Sequence, residues 1–333
     1  MKRILVIKIT ALTIVLFACL GVVELSLRVF GFSPQKKLVY SNEPLMYDVD
    51  QTRGWKNKPG AYTFPPYHPS GKDITMTFLD DERRVTSSNQ KTIEDTVQKV
   101  ITVGGSFTQG WAISDEETYS WGLQNFMPNN QVINYGTGGY GTYQSLLTLE
   151  EKLPELVNTN LVVYGFIEHH ETRNVASAEW LSILKQYSKR GHVSVPYLSI
   201  DENNELNRHQ PEEYSNLPLT HSLVLMKMLD RTIQKIKSGM KLDEKEQVTQ
   251  KAILEMNNLC AKYESDFLVA ILNCSDVKKQ GYLSFFENNG IKALDCTIPL
   301  REELIVKGEG HPNGILNSIW AEQINNYLNC SVQ

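Results

Sequence analysis

Residues able to do chemistry gather in four short segments of this sequence. The first, "VITVGGSFTQG" from Val100 to Gly110, is an apolar run that breaks into two glycines and a serine. Paired glycines let a strand turn sharply and leave the Ser106 Oγ exposed at its end. A Gly-Ser turn that only caps the following helix would be written the same way. The last segment, "KGEGHPNG", sets His311 on a turn bounded by glycine and proline, directly before an apolar helical pattern. That histidine is either a neutral surface or capping residue, or the base that a strand-end nucleophile requires.

Two middle segments compete for other chemistries. In "NYGTGGYG", Gly136, Gly138 and Gly141 formally match a dinucleotide fingerprint. The motif falls on the second strand of the region, however, and the acidic residue after the next strand, Glu168, lies 32 positions past Gly136 rather than the roughly 20 that a ribose contact needs. Nucleotide binding is not expected. In "IEHHETRN", Glu168, His169, His170, Glu171 and Arg173 crowd one strand end, a density that suits either a working crevice or a solvated loop. His170-Glu171 does not extend to a zinc HExxH motif, because Asn174 stands where the second histidine belongs. Around Ser106, a P-loop would need Lys-Ser/Thr where Trp111-Ala112 stand, and a GxSxG elbow would need glycine in place of Thr108. No metal and no cofactor is expected.

The elements that must position these groups are legible in outline. From Lys99 onward, apolar runs at Val100–Val103, Val132–Asn134, Leu161–Phe166, Phe267–Leu272 and Ile291–Leu294 alternate with helical patterns at Ser145–Leu156, Leu223–Ile236, Lys245–Tyr263 and Ile315–Leu328. Such alternation predicts an α/β fold with a parallel sheet of about five strands covered on both faces. Ligands of such sheets bind beyond the carboxyl ends of the strands, which is where these motifs fall. Residues 201–222 are polar, hold Pro211 and Pro218, and are expected to form an inserted loop.

The first 30 residues form a separate segment. After Lys2 and Arg3, "ILVIKITALTIVLFACLGVV" is broken only by Lys8 and is long enough for the ~30 Å of a bilayer core. It exceeds a signal-peptide core and is followed by no small-x-small cleavage site, so we expect an uncleaved, single-pass membrane anchor. The basic residues at its start place the N-terminus in the cytoplasm and the body outside. "LFAC" approximates a lipobox at Cys19, but Phe17 is bulky for one and apolar sequence continues beyond the cysteine. Residues 31–95 are rich in Tyr, Pro, Gly and Thr and are expected to form a stalk or small β-rich module; residues 96–333 form the α/β domain. Of 333 residues, 41% are apolar and 21% charged, with a net charge of −5. Residues 1–37 hold six Lys/Arg against one Glu, so the body is more acidic than that total and a poor nucleic-acid binder. Cys260, Cys274, Cys296 and Cys330 show no zinc spacing, although one disulfide among them is conceivable.

Taken together, Gly104-Gly105-Ser106-Phe107-Thr108, Asn134-x-Gly136-x-x-Gly139, the His169-His170 segment and Gly310-His311-Pro312-Asn313 resemble, in content and order, the blocks of the SGNH hydrolase superfamily. This is the superfamily of GDSL-type esterases, and the likeness, to its GGSFTxG variants, covers about 99–328. The resemblance implies a flavodoxin-like three-layer α/β/α sandwich and acyl-ester chemistry without a cofactor. It implies Ser106 as nucleophile, His311 as base, and an oxyanion hole of the Ser106 and Gly139 N–H groups. His169-His170 replaces the usual Asn-Asp, so the third oxyanion donor would be the His169 imidazole N–H. The usual aspartate three residues before the histidine is replaced by Gly308, so the orienting carboxylate would be Glu309, two residues before. With the anchor, the expected function is a membrane-anchored extracytoplasmic esterase that removes O-acyl groups from a carbohydrate or lipid of the cell envelope or from an exported polysaccharide. An O-acyltransferase on the same substrates, or a catalytically degenerate glycan-binding domain, are the alternatives.

Overall fold

The computed structural model describes residues 2–36, 43–89, 92–189, 193–214 and 216–330. In chain order it begins with helix α1 (Lys2–Val29), then the short strands β1 (Tyr47–Asp50), β2 (Gly54–Asn57), β3 (Gly60–Phe64) and β4 (Ile74–Phe78). There follow β5 (Gln98–Gly104), α2 (Ser106–Gln109), α3 (Tyr119–Phe126), β6 (Asn130–Asn134), α4 (Thr142–Lys152) and β7 (Thr159–Ile167). Next come α5 (His170–Asn174), α6 (Ala178–Tyr187), β8 (Val193–Ile200), β9 (Leu206–Tyr214), α7 (Val224–Asp243) and α8 (Lys245–Lys262). The chain closes with β10 (Asp266–Asn273), α9 (Asp276–Asn288), β11 (Lys292–Asp295) and α10 (Gly314–Cys330).

Five strands make one parallel sheet in the order β11-β10-β7-β5-β6. Numbered by their own succession this is 2-1-3-4-5, the flavodoxin-like order, whose direction of winding reverses between β5 and β7. Both faces are covered. Val162, Tyr164 and Phe166 of β7 and Val269 and Ile271 of β10 pack with Leu146, Leu149, Ile253, Met256 and Phe286 from α4, α8 and α9. The alternate residues Leu161, Val163, Leu268, Ala270 and Leu272 pack with Leu123, Leu316, Trp320 and Ile324 from α3 and α10. A strand buried on both faces needs apolar residues at every position, which is why these strands read as continuous runs.

The residues between α1 and β5 pair as two antiparallel ribbons, β1 with β2 and β3 with β4, and lie against the α/β domain. Arg84 shows how firmly. It is fully buried, with Nε donating to Asp115 Oδ1 at 2.8 Å and the guanidinium also donating to the carbonyls of Gln109, Gly110 and Ile113. A buried guanidinium is tolerated only when its donors are satisfied in this way. Here it clamps the segment that follows Ser106.

Residues 201–222 are not the simple loop their composition suggests. β9 pairs antiparallel with β8, and the Tyr197 and His209 rings stack at 4.1 Å. β9 is mostly exposed on both sides, so it lacks the apolar alternation that betrays a strand. Its Pro211 falls where the register shifts between Val195 and Tyr197, a place where a missing N–H is tolerated. All five cysteines are free thiols. α1 is long and apolar enough over Arg3–Val29 to cross a membrane, and is exposed along most of that length.

Candidate active site

Ser106 sits at the start of α2, immediately beyond the carboxyl end of β5, and is 6% exposed. The two glycines before it are there because nothing larger fits. A Cβ on Gly104 would lie 2.8 Å from Gly165 O of the neighbouring strand, and one on Gly105 would lie 2.9 Å from each of His170 Nε2, Arg173 Nη1 and Tyr140 O. Asn134, at the end of β6, ties the next strand to the same turn: its amide donates to Thr108 O at 3.0 Å and its Oδ1 accepts from Gly136 N at 2.8 Å.

The His311 turn reaches Ser106 across 205 positions of sequence. Its Nε2 lies 2.9 Å from Ser106 Oγ, and its Nδ1 lies 2.8 and 2.9 Å from the two oxygens of Glu309. With the proton on Nδ1 donated to that carboxylate, Nε2 accepts from the serine hydroxyl. Glu309 reaches although it stands only two residues before His311, because glycines at positive φ on either side, Gly308 (+85°) and Gly310 (+100°), curl the turn back on itself. The same carboxylate accepts from His311 N at 2.8 Å and from Trp111 Nε1 at 3.0 Å. Burial pushes the Glu309 pKa up, but the bonds and charge of His311 and the indole N–H outweigh it and hold the carboxyl below the usual glutamate value. Phe107 sets its ring edge-on to His311 at 5.7 Å and stacks on the buried Trp320, fixing the imidazole from the side.

Across from this arrangement the polar groups are empty-handed. Among the described residues no acceptor takes the Ser106 or the Gly139 N–H. Gly139, at φ +82°, is backed by the rings of Trp55 and Trp180, and Trp55 Nε1 holds Gly138 O at 2.9 Å. His169 caps α5 at the end of β7, on the other side of the switch point from β6, and its ring makes no hydrogen bond to a described residue. Partial burial of that ring and the charge of Arg173 hold its pKa below the usual histidine value, so it is neutral at pH 7.

The neighbouring residues of that segment have other tasks. His170 is fully buried behind the Gly105 turn, and burial drives its pKa well down. Its Nδ1 meets Tyr164 OH at 2.7 Å, at the head of a chain through Thr142 and Asn174 to Thr249. Glu168 accepts from Ser275 N at 2.9 Å, at the start of α9. Glu171, buried, is held by Lys278 and Lys245 at 3.1 Å each and by Tyr282 OH. The density of charge after β7 therefore serves mostly to lock α5 in place. Among the described residues no group of three His, Cys, Asp or Glu could hold a metal ion.

A cavity of about 200 Å³ opens beside the site, with Leu45, Val49, Trp55, Trp111, Gly138 and Val193 in its wall. Trp111 is the residue that holds Glu309, and Gly138 directly precedes Gly139, so the cavity adjoins both halves of the site. Nothing local in the sequence marks Trp55 or Trp111 for these positions, since each acts through a partner far along the chain.

Fold and site together define a doubly wound α/β protein with a serine–histidine–glutamate constellation at its switch point. No family model matches the chain, and no curated protein matches it. Solved structures similar to it include a member of the lipolytic protein G-D-S-L family from Veillonella parvula (12% identity, TM-score 0.40, 70% of this chain and 99% of that one). Another is a GDSL-like lipase from Bacteroides thetaiotaomicron (16% identity, TM-score 0.39, 70% and 89%). A third is a psychrotrophic esterase from Pseudoalteromonas sp. inhibited by monoethylphosphonate (9% identity, TM-score 0.41, 70% and 99%). At such identities and TM-scores the reading of the site rests on its own geometry.

Proposed function

We propose that the chain is a membrane-anchored serine esterase of the SGNH type that removes O-acyl groups from a carbohydrate or lipid outside the cytoplasm. The observation that carries this reading is the continuous line Glu309–His311–Ser106, with bonds of 2.8 and 2.9 Å and the serine at a strand end. As Ser106 Oγ attacks an ester carbonyl, His311 Nε2 takes its proton, and Glu309 stabilises the imidazolium that forms. The carbonyl oxygen, now negative, is met by the Ser106 and Gly139 N–H groups and by the neutral His169 ring, donors worth ~3 kcal/mol each in comparable sites. His311 then returns the proton to the departing alcohol, leaving an acyl group on Ser106. Water, deprotonated by the same histidine, releases the acid and restores the serine. The apolar wall of the adjoining cavity supports an acyl group as its occupant.

The test is hydrolysis of p-nitrophenyl acetate by the full chain in detergent beside its Ser106→Ala variant. Turnover that Ser106→Ala abolishes is expected; turnover retained by that variant, or none by a well-folded wild type, contradicts the reading. The anchor and its orientation are supported by the exposed apolar helix with Lys2, Arg3 and Lys8 at its start. Protease added to spheroplasts should digest the body and leave a membrane-bound fragment of about 35 residues. A protected body would reverse the orientation.

A further inference from the structure

α1 and α7 meet where α1 leaves its apolar stretch. Glu24 places one carboxylate oxygen on Val224 N at 3.0 Å and the other on Leu225 N at 2.9 Å, the first two residues of α7. No side chain next to α7 caps it, so this carboxylate from 200 positions away serves in that place. Arg28 braces the same carboxylate at 2.7 Å and reaches Ser222 O at 2.6 Å. Further along, Lys227 Nζ donates to Ser33 O at 2.8 Å and Gln35 N to Thr220 O at 3.0 Å. The exit of a membrane-length helix and the start of α7 are thus one hydrogen-bonded corner.

Away from this corner α7 carries a line of largely exposed, mostly apolar residues among the described residues. Leu225, Leu229, Thr232 and Ile236 fall on one line at helical spacing, with Leu229 47% and Ile236 75% exposed, while Val224 and Asp230 are buried against the body. Leu219, in the turn before the helix, is 59% exposed and holds a φ of +65°, rare for a non-glycine residue. Lys235 and Lys237 flank the stripe on opposite sides, and Lys227, Arg231 and Lys241 bring the helix to five basic residues against Asp230 and Asp243, on a body that is otherwise acidic. Single exposed apolar residues need no explanation. A stripe that starts at the mouth of a membrane helix and is edged with lysines does, and a lipid surface satisfies both parts: apolar side chains enter the acyl boundary while lysine stems carry their charge to the phosphates.

We propose that α7 lies in the interface of the bilayer that α1 crosses, with its Leu225–Ile236 stripe among the lipid chains, so that the two helices form a rigid foot for the α/β domain. This rests on the membrane-anchor reading of α1. Glu24 and Arg28 then act as its corner brace, and cleavage of α1 would uncap α7.

The test uses the full chain in vesicles of phosphatidylcholine and phosphatidylglycerol. Single cysteines at Leu229, Ile236, Arg231, Gln234 and Leu16, in a Cys19→Ser, Cys274→Ser, Cys330→Ser background, carry an environment-sensitive fluorophore, quenched by lipids with a spin label on the acyl chain. Quenching at Leu16, and several-fold stronger quenching at Leu229 and Ile236 than at Arg231 and Gln234, is expected. Quenching at Leu16 without that helical periodicity overturns the proposal and leaves the anchor standing. Quenching at none of the five removes the anchor and the proposal with it. An intermolecular disulfide through Ile236→Cys without quenching would show a second copy on this face and also overturn it.

Discussion

The two halves of the site are built on opposite principles. On the proton-handling side every polar atom has a partner: Ser106 with His311, His311 with Glu309, Glu309 with Trp111 and the His311 backbone. On the side proposed to receive the oxyanion, the Ser106 and Gly139 N–H groups and the His169 ring have no partner among the described residues. The difference fits a reaction in which a proton must be held in the ground state while a negative charge appears only in the transition state. Donors kept free for that charge accelerate the chemical step, whereas donors already engaged would have to let go first.

Mutations that separate the halves sharpen this contrast. The largest effect is expected at Ser106→Ala or His311→Ala, each lowering kcat by ~10⁶-fold, because removing either ends the covalent route. A double variant no worse than either single one would show that they act as a unit. Next comes Glu309→Gln, whose amide cannot stabilise the imidazolium, at ~10⁴-fold in kcat with the fold intact. A loss below about tenfold would reduce the constellation to Ser106 and His311.

His169→Ala is expected to cost ~10²-fold in kcat, while His169→Asn, which keeps a neutral donor, retains much of the activity. Equal losses in the two variants, or none in either, would take His169 out of the oxyanion side and break the comparison there. The smallest effect concerns stability. Because the Glu309 pKa lies below its usual value in the folded chain, its contribution is present above the unfolded value and lost as pH falls through the folded one. The stability gap between wild type and Glu309→Gln in urea melts should therefore narrow on acidification; a gap that widens would contradict the hydrogen-bonded carboxylate.

What the sequence shows of this molecule follows from the range of its interactions. The inner strands of the sheet are legible because double burial demands unbroken apolar runs, as in Leu161–Phe166. β9 was not, because an edge strand exposed on both sides leaves no periodic trace. Ser106 and His311 announce themselves through glycines and a proline that shape their turns locally. Glu309 stands two residues before His311, and only the curl between Gly308 and Gly310 brings its carboxylate to His311 Nδ1. Trp111 gave no sign, since its bond to Glu309 spans 198 positions, and the clamp of Arg84 on the segment after Ser106 crosses from one part of the chain to another in the same way. His169 and His170 are adjacent and identical in type, yet burial sets one behind the Gly105 turn with its Nδ1 on Tyr164, while the ring of the other, at the strand end, has no hydrogen-bond partner among the described residues.

The nucleophile is the claim on which the rest depends, and covalent labelling tests it most directly. The full chain in detergent, treated with a fluorophosphonate and digested, should show by mass spectrometry one phosphonylated peptide modified at Ser106. Ser106→Ala should remove the label, and His311→Ala should nearly do so. A label on another residue, or one that survives Ser106→Ala, would contradict the account.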